Sequence, residues 1–69
     1  MGDDAVPDLS RRELEVLLQL AGGRSTTQMA AALAVSVNTV RGHVRTLQAK
    51  LAAPDRNGVV GRARELGLL

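Results

Sequence analysis

The 69-residue sequence contains no cysteine, phenylalanine, tyrosine or tryptophan. Without cysteine, disulfide bonds and thiolate metal sites are excluded, and an intracellular protein fits best. Without aromatic rings, binding of single-stranded nucleic acid by base stacking is disfavoured, and a duplex is the better candidate for a nucleic-acid partner. No apolar run is long enough for a membrane span or a signal peptide. A chain of this length forms at most one small domain.

Charge is distributed unevenly along the chain, whose net charge is +2. Asp3, Asp4 and Asp8 supply three of the 7 acidic residues, which leaves four acidic residues against all 9 basic residues in the remainder. Over residues 36–64 the only acidic residue is Asp55. A basic C-terminal half favours a polyanionic partner, although runs of charge also form ordinary solvated faces.

Apolar spacing and turn residues predict an all-α fold with four helices and no strand. Residues 1–8 are polar and acidic and predict a disordered leader or the end of a linker. The domain proper is expected to occupy residues 9–69. Its helices are predicted at about 11–21, 26–33, 37–51 and 58–66.

Capping residues mark the helix ends. Two capping boxes are predicted, Ser10 with Glu13 and Ser25 with Gln28. Ser36 is the expected N-cap of the third helix. For the fourth helix, Asn57 is the expected N-cap and Gly67 the stop signal. The apolar face of the first helix is expected to comprise Leu14, Leu17, Leu18 and Ala21, widened by Val16 and Leu20.

The second and third helices form a helix-turn-helix pattern, in which the second member is longer and basic. At about 100° per residue, one face of the third helix is apolar; it comprises Val37, Val40, Val44, Leu47 and Leu51. The opposite face is small and polar, and it comprises Asn38, Gly42, Arg45 and Ala49, flanked by Arg41 and Thr46. No acidic residue occurs over 37–51, whereas a solvated helix usually mixes Glu with Lys. This face is expected to approach a negatively charged partner.

Gly42 is unusual in this helix, because glycine in a helix interior costs about 1 kcal/mol relative to alanine. On the helical wheel Gly42 points away from Val40, Val44 and Leu47, so core packing does not explain it. We interpret the missing side chain as clearance that lets the helix sit closer to its partner, with recognition left to the flanking Arg41 and Arg45.

Three segments, LSRRELEVLLQLAGGRS, MAAALAVSVNTVRGHVRTLQAKL and ARELGLL, resemble the LuxR-type DNA-binding domain. This domain is the helix-turn-helix output module of quorum-sensing regulators and of NarL/FixJ response regulators. The resemblance covers Leu9 to Leu69. The chain departs from it at Gln28 and Met29, where relatives usually have Glu and then Ile. It also departs at Ala52, where Gly is common, and at Gly42, where Val or Lys is usual.

The resemblance implies a four-helix domain that binds palindromic or tandem sites in duplex DNA, usually as a dimer. The base contacts it implies in the major groove are Arg41, Gly42 and Arg45. The phosphate contacts it implies are Ser36, Asn38, Thr39, Lys50 and Arg56. A weak homodimer is expected through the last helix, at Val59, Val60, Arg62, Ala63 and Leu66. The expected setting is the bacterial cytoplasm, on the nucleoid when bound, with RNA polymerase as a further partner and no membrane.

Catalytic and metal sites are not expected. His43 is the only histidine and has no carboxylate at ligand spacing, so neither a metal nor another cofactor is predicted. Packing at the helix edge or a phosphate contact would explain it. Ser10, Ser25 and Ser36 are explained as helix caps, and no base with an orienting acid accompanies a nucleophile, so an enzyme is not predicted.

The sequence therefore predicts a sequence-specific duplex-DNA-binding transcriptional regulator, or its C-terminal output domain, with the third helix in the major groove. Two alternatives stay open. The promoter-recognition region of a sigma factor has in common with this chain the pair Thr39–Val40 and a basic recognition helix. The segment RGHVRTLQAKL at 41–51 and the terminal GLL at 67–69 match the LuxR type better. A protein-interaction module on a degenerate helix-turn-helix would show no salt-dependent affinity for DNA.

Overall fold

The computed structural model describes residues 7–69. Its four α-helices are α1 (Arg11–Ala21), α2 (Thr26–Leu33), α3 (Val37–Lys50) and α4 (Arg56–Glu65). No strand occurs within the described residues, and the predicted all-α helix-turn-helix fold is confirmed. The predicted leader at residues 1–8 lies outside the described residues except for Pro7 and Asp8, which are not helical. Over residues 7–69 every helix is too short or too polar to cross a membrane.

The first three helices begin at the predicted caps. The Ser10 hydroxyl accepts the Glu13 N–H at 3.1 Å, and the Glu13 carboxylate accepts the Ser10 N–H at 2.8 Å. Ser25 and Gln28 repeat this reciprocal pair with the same two distances. Ser36 Oγ accepts the Thr39 N–H at 3.0 Å. Each cap satisfies N–H groups that have no partner within the helix.

The fourth helix begins earlier than predicted, and the prediction of Asn57 as its N-cap is wrong. Asp55 is the cap, because its Oδ1 accepts the Gly58 N–H at 2.7 Å. A carboxylate at this position also complements the positive end of the helix dipole. The helix ends at Glu65, one residue before the predicted boundary, and Gly67 follows at a φ of 77°. The third helix likewise ends one residue early, with Leu51 as its C-cap.

The core is built around α3, which packs against each of the other three helices. The predicted apolar face of α3 is confirmed, since Val40, Val44, Leu47 and Leu51 are buried and Val37 is half-buried. The other buried apolar residues are Val16, Leu17, Leu20, Met29, Ala30, Val59 and Ala63. This packing leaves the opposite side of α3 exposed to solvent.

The apolar face predicted for α1 is partly wrong. Leu14 and Leu18 are 38% and 54% exposed, respectively, instead of facing the core. The buried side of α1 comprises Glu13, Val16, Leu17 and Leu20. Apolar residues surround most of this helix, so their spacing alone did not determine which side is buried.

Glu13 is a buried carboxylate, with 7% of its surface exposed. Besides the Ser10 N–H, its Oε1 accepts a hydrogen bond from Lys50 Nζ at 2.8 Å, and Lys50 Nζ also donates to the Asp8 carbonyl at 2.8 Å. The bonds from Lys50 and from the Ser10 backbone hold the pKa of Glu13 below its usual value, in opposition to the effect of burial. Glu13 thereby joins the start of α1 to the last turn of α3.

We expect Glu13→Gln to lower the free energy of unfolding by about 1–2 kcal/mol at neutral pH, because two bonds to a charged acceptor are weakened. The folded-state pKa of Glu13 is depressed. Its stabilisation is therefore fully present above the unfolded pKa of about 4.3, and it is lost as the pH falls through the folded value. Urea unfolding followed by circular dichroism at neutral and acidic pH measures both effects. The deficit of the variant should shrink in acid.

Glu65→Gln is the matched control, since Glu65 pairs with Arg62 at 3.0 Å on the exposed surface. This change should alter the free energy of unfolding by less than about 0.5 kcal/mol. Equal losses in the two variants would contradict a structural role for the buried carboxylate.

Ala52 has a positive φ of 53°, just beyond the end of α3. This left-handed conformation is unfavourable for residues with a Cβ atom and suits glycine. We expect Ala52→Gly to raise the free energy of unfolding by about 1 kcal/mol, measured by the same urea titration. Ala49→Gly, three residues earlier within α3, should lower it by about 1 kcal/mol. The same sign for both changes would contradict the explanation.

Candidate nucleic-acid interface

The exposed side of α3 lies opposite its core contacts. We define the outer face of α3 as its six exposed residues on this side, Asn38, Arg41, Gly42, Arg45, Thr46 and Ala49. No acidic residue occurs anywhere on α3, and its polar residues therefore carry either positive or no charge. The outer face is a surface that attracts anions and has no carboxylate of its own to compete with them.

The predicted base-contact residues Arg41, Gly42 and Arg45 are all exposed on this face. Within residues 7–69, neither arginine side chain makes a hydrogen bond or an ion pair. Both arginines line a cavity of about 210 Å³ between α3 and the beginnings of α2 and α4, together with Thr26, Val44, Gln48 and Arg56. Three arginine residues thus line one opening at the edge of the outer face.

Arg56 has a structural role that the sequence did not predict. Its Nη1 donates to Thr26 Oγ1 at 2.9 Å, and its Nη2 donates to the Arg24 carbonyl at 3.2 Å. These bonds tie the start of α4 to the start of α2. No local sequence signal could have revealed this contact, because its partners lie 30 and 32 residues away.

Lys50 also has partners within the fold, namely Glu13 and the Asp8 carbonyl. An ammonium group has three N–H donors and a guanidinium group five, so Lys50 and Arg56 each retain donors that these contacts do not use. The phosphate contacts at Lys50 and Arg56 stay predictions. A phosphate there would bind to side chains that the fold already holds in place.

The other predicted phosphate contacts lie at the beginning of α3, and they differ in whether their side chains form hydrogen bonds within the fold. Ser36 Oγ and Thr39 Oγ1 lie 2.9 Å apart and share a hydrogen bond, in addition to the capping bond from the Thr39 N–H. The side chain of Asn38 makes no hydrogen bond within the described residues, although it lies between them in sequence. Ser36 and Thr39 therefore order the helix start, and Asn38 is available to a ligand.

His43 is half-buried at the edge of the α3 packing surface. Among residues 7–69, no group of three or more histidine and acidic side chains is placed to hold a metal ion.

The dimer surface predicted on α4 requires a correction. Val59 and Ala63 have 0% exposure because they pack in the core of their own domain, so they are not available to a second copy. Val60 and Leu66 are half-buried, and Arg62 is exposed beside Glu65. A contact through this helix would have to use these last three of the predicted residues.

The family described as bacterial regulatory proteins, luxR family, matches residues 7–63 of this chain. The chain is 50% identical over 48 residues to the uncharacterized transcriptional regulatory protein YhcZ of Bacillus subtilis, covering 70% of this chain and 22% of the relative. It is 44% identical over 63 residues to the probable transcriptional regulatory protein NarL of Mycobacterium tuberculosis, covering 91% and 29%. With regulatory protein SdiA of Escherichia coli the identity is 36% over 62 residues, covering 90% and 26%. The chain thus spans 22–29% of the length of these relatives.

Gly42 and Gly61 provide a test of the clearance interpretation. Apart from the adjacent residues and the backbone of its own helix, a Cβ atom added at either glycine would meet no atom within 4 Å, and both lie in helix interiors. We expect Gly42→Ala and Gly61→Ala each to raise the free energy of unfolding by up to about 1 kcal/mol. Affinity for duplex DNA should stay level or fall for the Gly42 variant and stay level for the Gly61 variant. A clear gain in affinity with Gly42→Ala would show that the glycine is a tolerated flaw.

Proposed function

The chain belongs to the luxR family of bacterial regulatory proteins, as its motifs predicted, and from this premise we propose that it is a sequence-specific DNA-binding domain of a transcriptional regulator. The outer face of α3 enters the major groove of duplex DNA. This groove is wide enough to admit an α-helix and displays a distinct donor and acceptor pattern for each base pair. No catalytic step is part of the proposed activity.

The observation that carries the proposal is the placement of Arg41 and Arg45 on a helix with no acidic residue, where neither side chain has a hydrogen-bond or ion-pair partner within residues 7–69. Exposed arginines on a solvated helix often have acidic neighbours three or four residues away, as Arg62 has Glu65. A guanidinium group can bind O6 and N7 of guanine with two parallel hydrogen bonds. These two arginines have the donors for such a contact.

The cavity beside Arg41 and Arg45 supports a second part of the proposal. Because Arg56 lies across this opening and is fixed by Thr26 and Arg24, positive charge extends from the outer face of α3 to the start of α4. The phosphate backbone of a DNA strand at the edge of the major groove would lie along this positively charged surface. Phosphate contacts of this kind fix the orientation of a protein on the duplex, whereas contacts to bases supply specificity.

We extend the proposal to a weak homodimer through α4, using Val60, Arg62 and Leu66. Two copies related by a two-fold axis would bind two half-sites, as in other helix-turn-helix dimers. For the regulator as a whole, contact with RNA polymerase is the proposed route by which binding changes transcription in a bacterial cell.

A protein-interaction role is the second candidate, and the exposed Leu14 and Leu18 favour it. Their spacing of four residues places them on one side of α1, where they leave apolar area in contact with water. This candidate predicts no salt-dependent affinity for duplex DNA.

Selection of bound sequences from random duplex DNA tests the two candidates directly. We expect the unmodified domain to enrich a defined sequence, and log K to fall with log salt by about 0.9 per phosphate contact. Arg41→Ala or Arg45→Ala should alter the sequence preference at one or more positions, because bidentate base contacts are lost. Arg11→Ala is the matched control, since Arg11 is an exposed arginine on α1, and it should leave the preference unchanged.

If neither α3 variant changed the selected sequence, the assignment of the outer face as the reading surface would be wrong. If the unmodified domain showed no salt-dependent affinity, the protein-interaction candidate would replace DNA binding.

A further inference from the structure

The polar side chains on and beside the outer face of α3 differ in whether the fold already uses them. Thr39 is bonded to Ser36. Thr46 Oγ1 donates to the Gly42 carbonyl at 3.0 Å, and Gln48 Nε2 donates to the Pro54 carbonyl at 3.2 Å. Over the described residues, Asn38 is the one uncharged polar residue of the outer face whose side chain has no hydrogen-bond partner.

The position of Asn38 relative to Gly42 gives its carboxamide open space. The two residues are four apart and are therefore neighbours on the same side of the helix. Side chains in helices lean toward the N-terminus, so a side chain at position 42 would cover the turn that carries Asn38. With glycine at position 42 that turn is not covered, and a Cβ atom placed there would meet nothing within 4 Å apart from the adjacent residues and the backbone of the helix. Arg45 borders the same gap from the other side, three residues beyond Gly42.

We propose that Asn38 is a specificity-determining residue whose carboxamide reads an adenine in the major groove. The proposal rests on the proposed function, in which the outer face of α3 enters that groove. Nδ2 would donate to adenine N7 while Oδ1 accepts from the adenine N6 amino group. Asn38 lies in the first turn of α3, and the N-terminal residues of recognition helices contact base edges.

This assignment differs from the phosphate contact that the family resemblance implies for Asn38. Phosphate oxygens only accept hydrogen bonds, so a phosphate would use Nδ2 and leave Oδ1 without a donor. An adenine edge satisfies both ends of the carboxamide. At the same helix start, one hydroxyl hydrogen remains after Ser36 and Thr39 bond to each other, and this hydrogen and the uncapped backbone N–H groups of the first turn offer donors to a phosphate.

The test combines a protein substitution with a single-atom change in the DNA. After the preferred duplex has been selected, each of its adenines is replaced in turn by 7-deazaadenine, which lacks the N7 acceptor. Equilibrium affinities are measured for the unmodified domain and for Asn38→Ala. At one adenine in each half-site, we expect the replacement to weaken binding of the unmodified domain by about fivefold or more. The same replacement should leave the affinity of the variant unchanged.

Asn57→Ala is the matched control. Asn57 is an exposed asparagine at the second position of α4, as Asn38 is of α3, and its variant should respond to each deazaadenine as the unmodified domain does. The circular dichroism spectrum of Asn38→Ala should match that of the unmodified domain and its unfolding midpoint should be no lower, because within residues 7–69 no hydrogen bond to that side chain is lost and alanine is the better helix former.

Two results would overturn the inference. One of them leaves the proposed function intact, and the other overturns the proposed function as well. If the unmodified domain binds a specific duplex but no adenine is coupled to Asn38, the inference fails and the proposed function stands; a uniform loss of affinity in Asn38→Ala would then indicate a phosphate contact. If the unmodified domain has no salt-dependent affinity for any duplex, the proposed function fails and the inference fails with it.

Discussion

The buried carboxylate of Glu13 is the constraint on which the arrangement of the domain depends. Burial of a charge is unfavourable unless hydrogen bonds and an opposite charge compensate it. The Ser10 N–H and Lys50 supply both, and they come from the start of α1 and the last turn of α3. The same carboxylate therefore caps one helix and fixes the end of another. A small core without aromatic residues gains from such a contact, because its apolar packing alone is limited.

Two sets of basic residues in the domain have different tasks. Lys50 and Arg56 bind acceptors in the fold, and the Nη1 group of Arg12 donates to the Leu33 carbonyl at the end of α2 at 3.2 Å. Arg41 and Arg45 bind no described residue, and they lie on α3, whose last turn Lys50 joins to Glu13 of α1. When the described residues leave donors unused on a helix that is itself held in place, the ordering cost of binding is reduced, and the proposed recognition of DNA by a single helix depends on this arrangement.

The sequence predicted most of the helices because their caps are local signals. Ser10 and Glu13 are three residues apart, and so are Ser25 and Gln28. It failed where two local signals competed, since Asp55 and Asn57 are both good caps and only the structure distinguishes them. The outer face of α3 could be predicted from helical periodicity. The structural roles of Lys50 and Arg56 could not, because their partners are distant in sequence and a basic residue near a helix terminus has the same local pattern whether it binds protein or phosphate.

In the proposed function, the outer face of α3 is the surface that contacts DNA. The most direct test is an NMR titration of the ¹⁵N-labelled domain with its selected duplex. Recognition through α3 predicts that the largest shifts in amide signals cover residues 38–46 and the neighbouring starts of α2 and α4, with small shifts along the exposed side of α1. Shifts centred on Leu14 and Leu18, with α3 unchanged, would contradict the account.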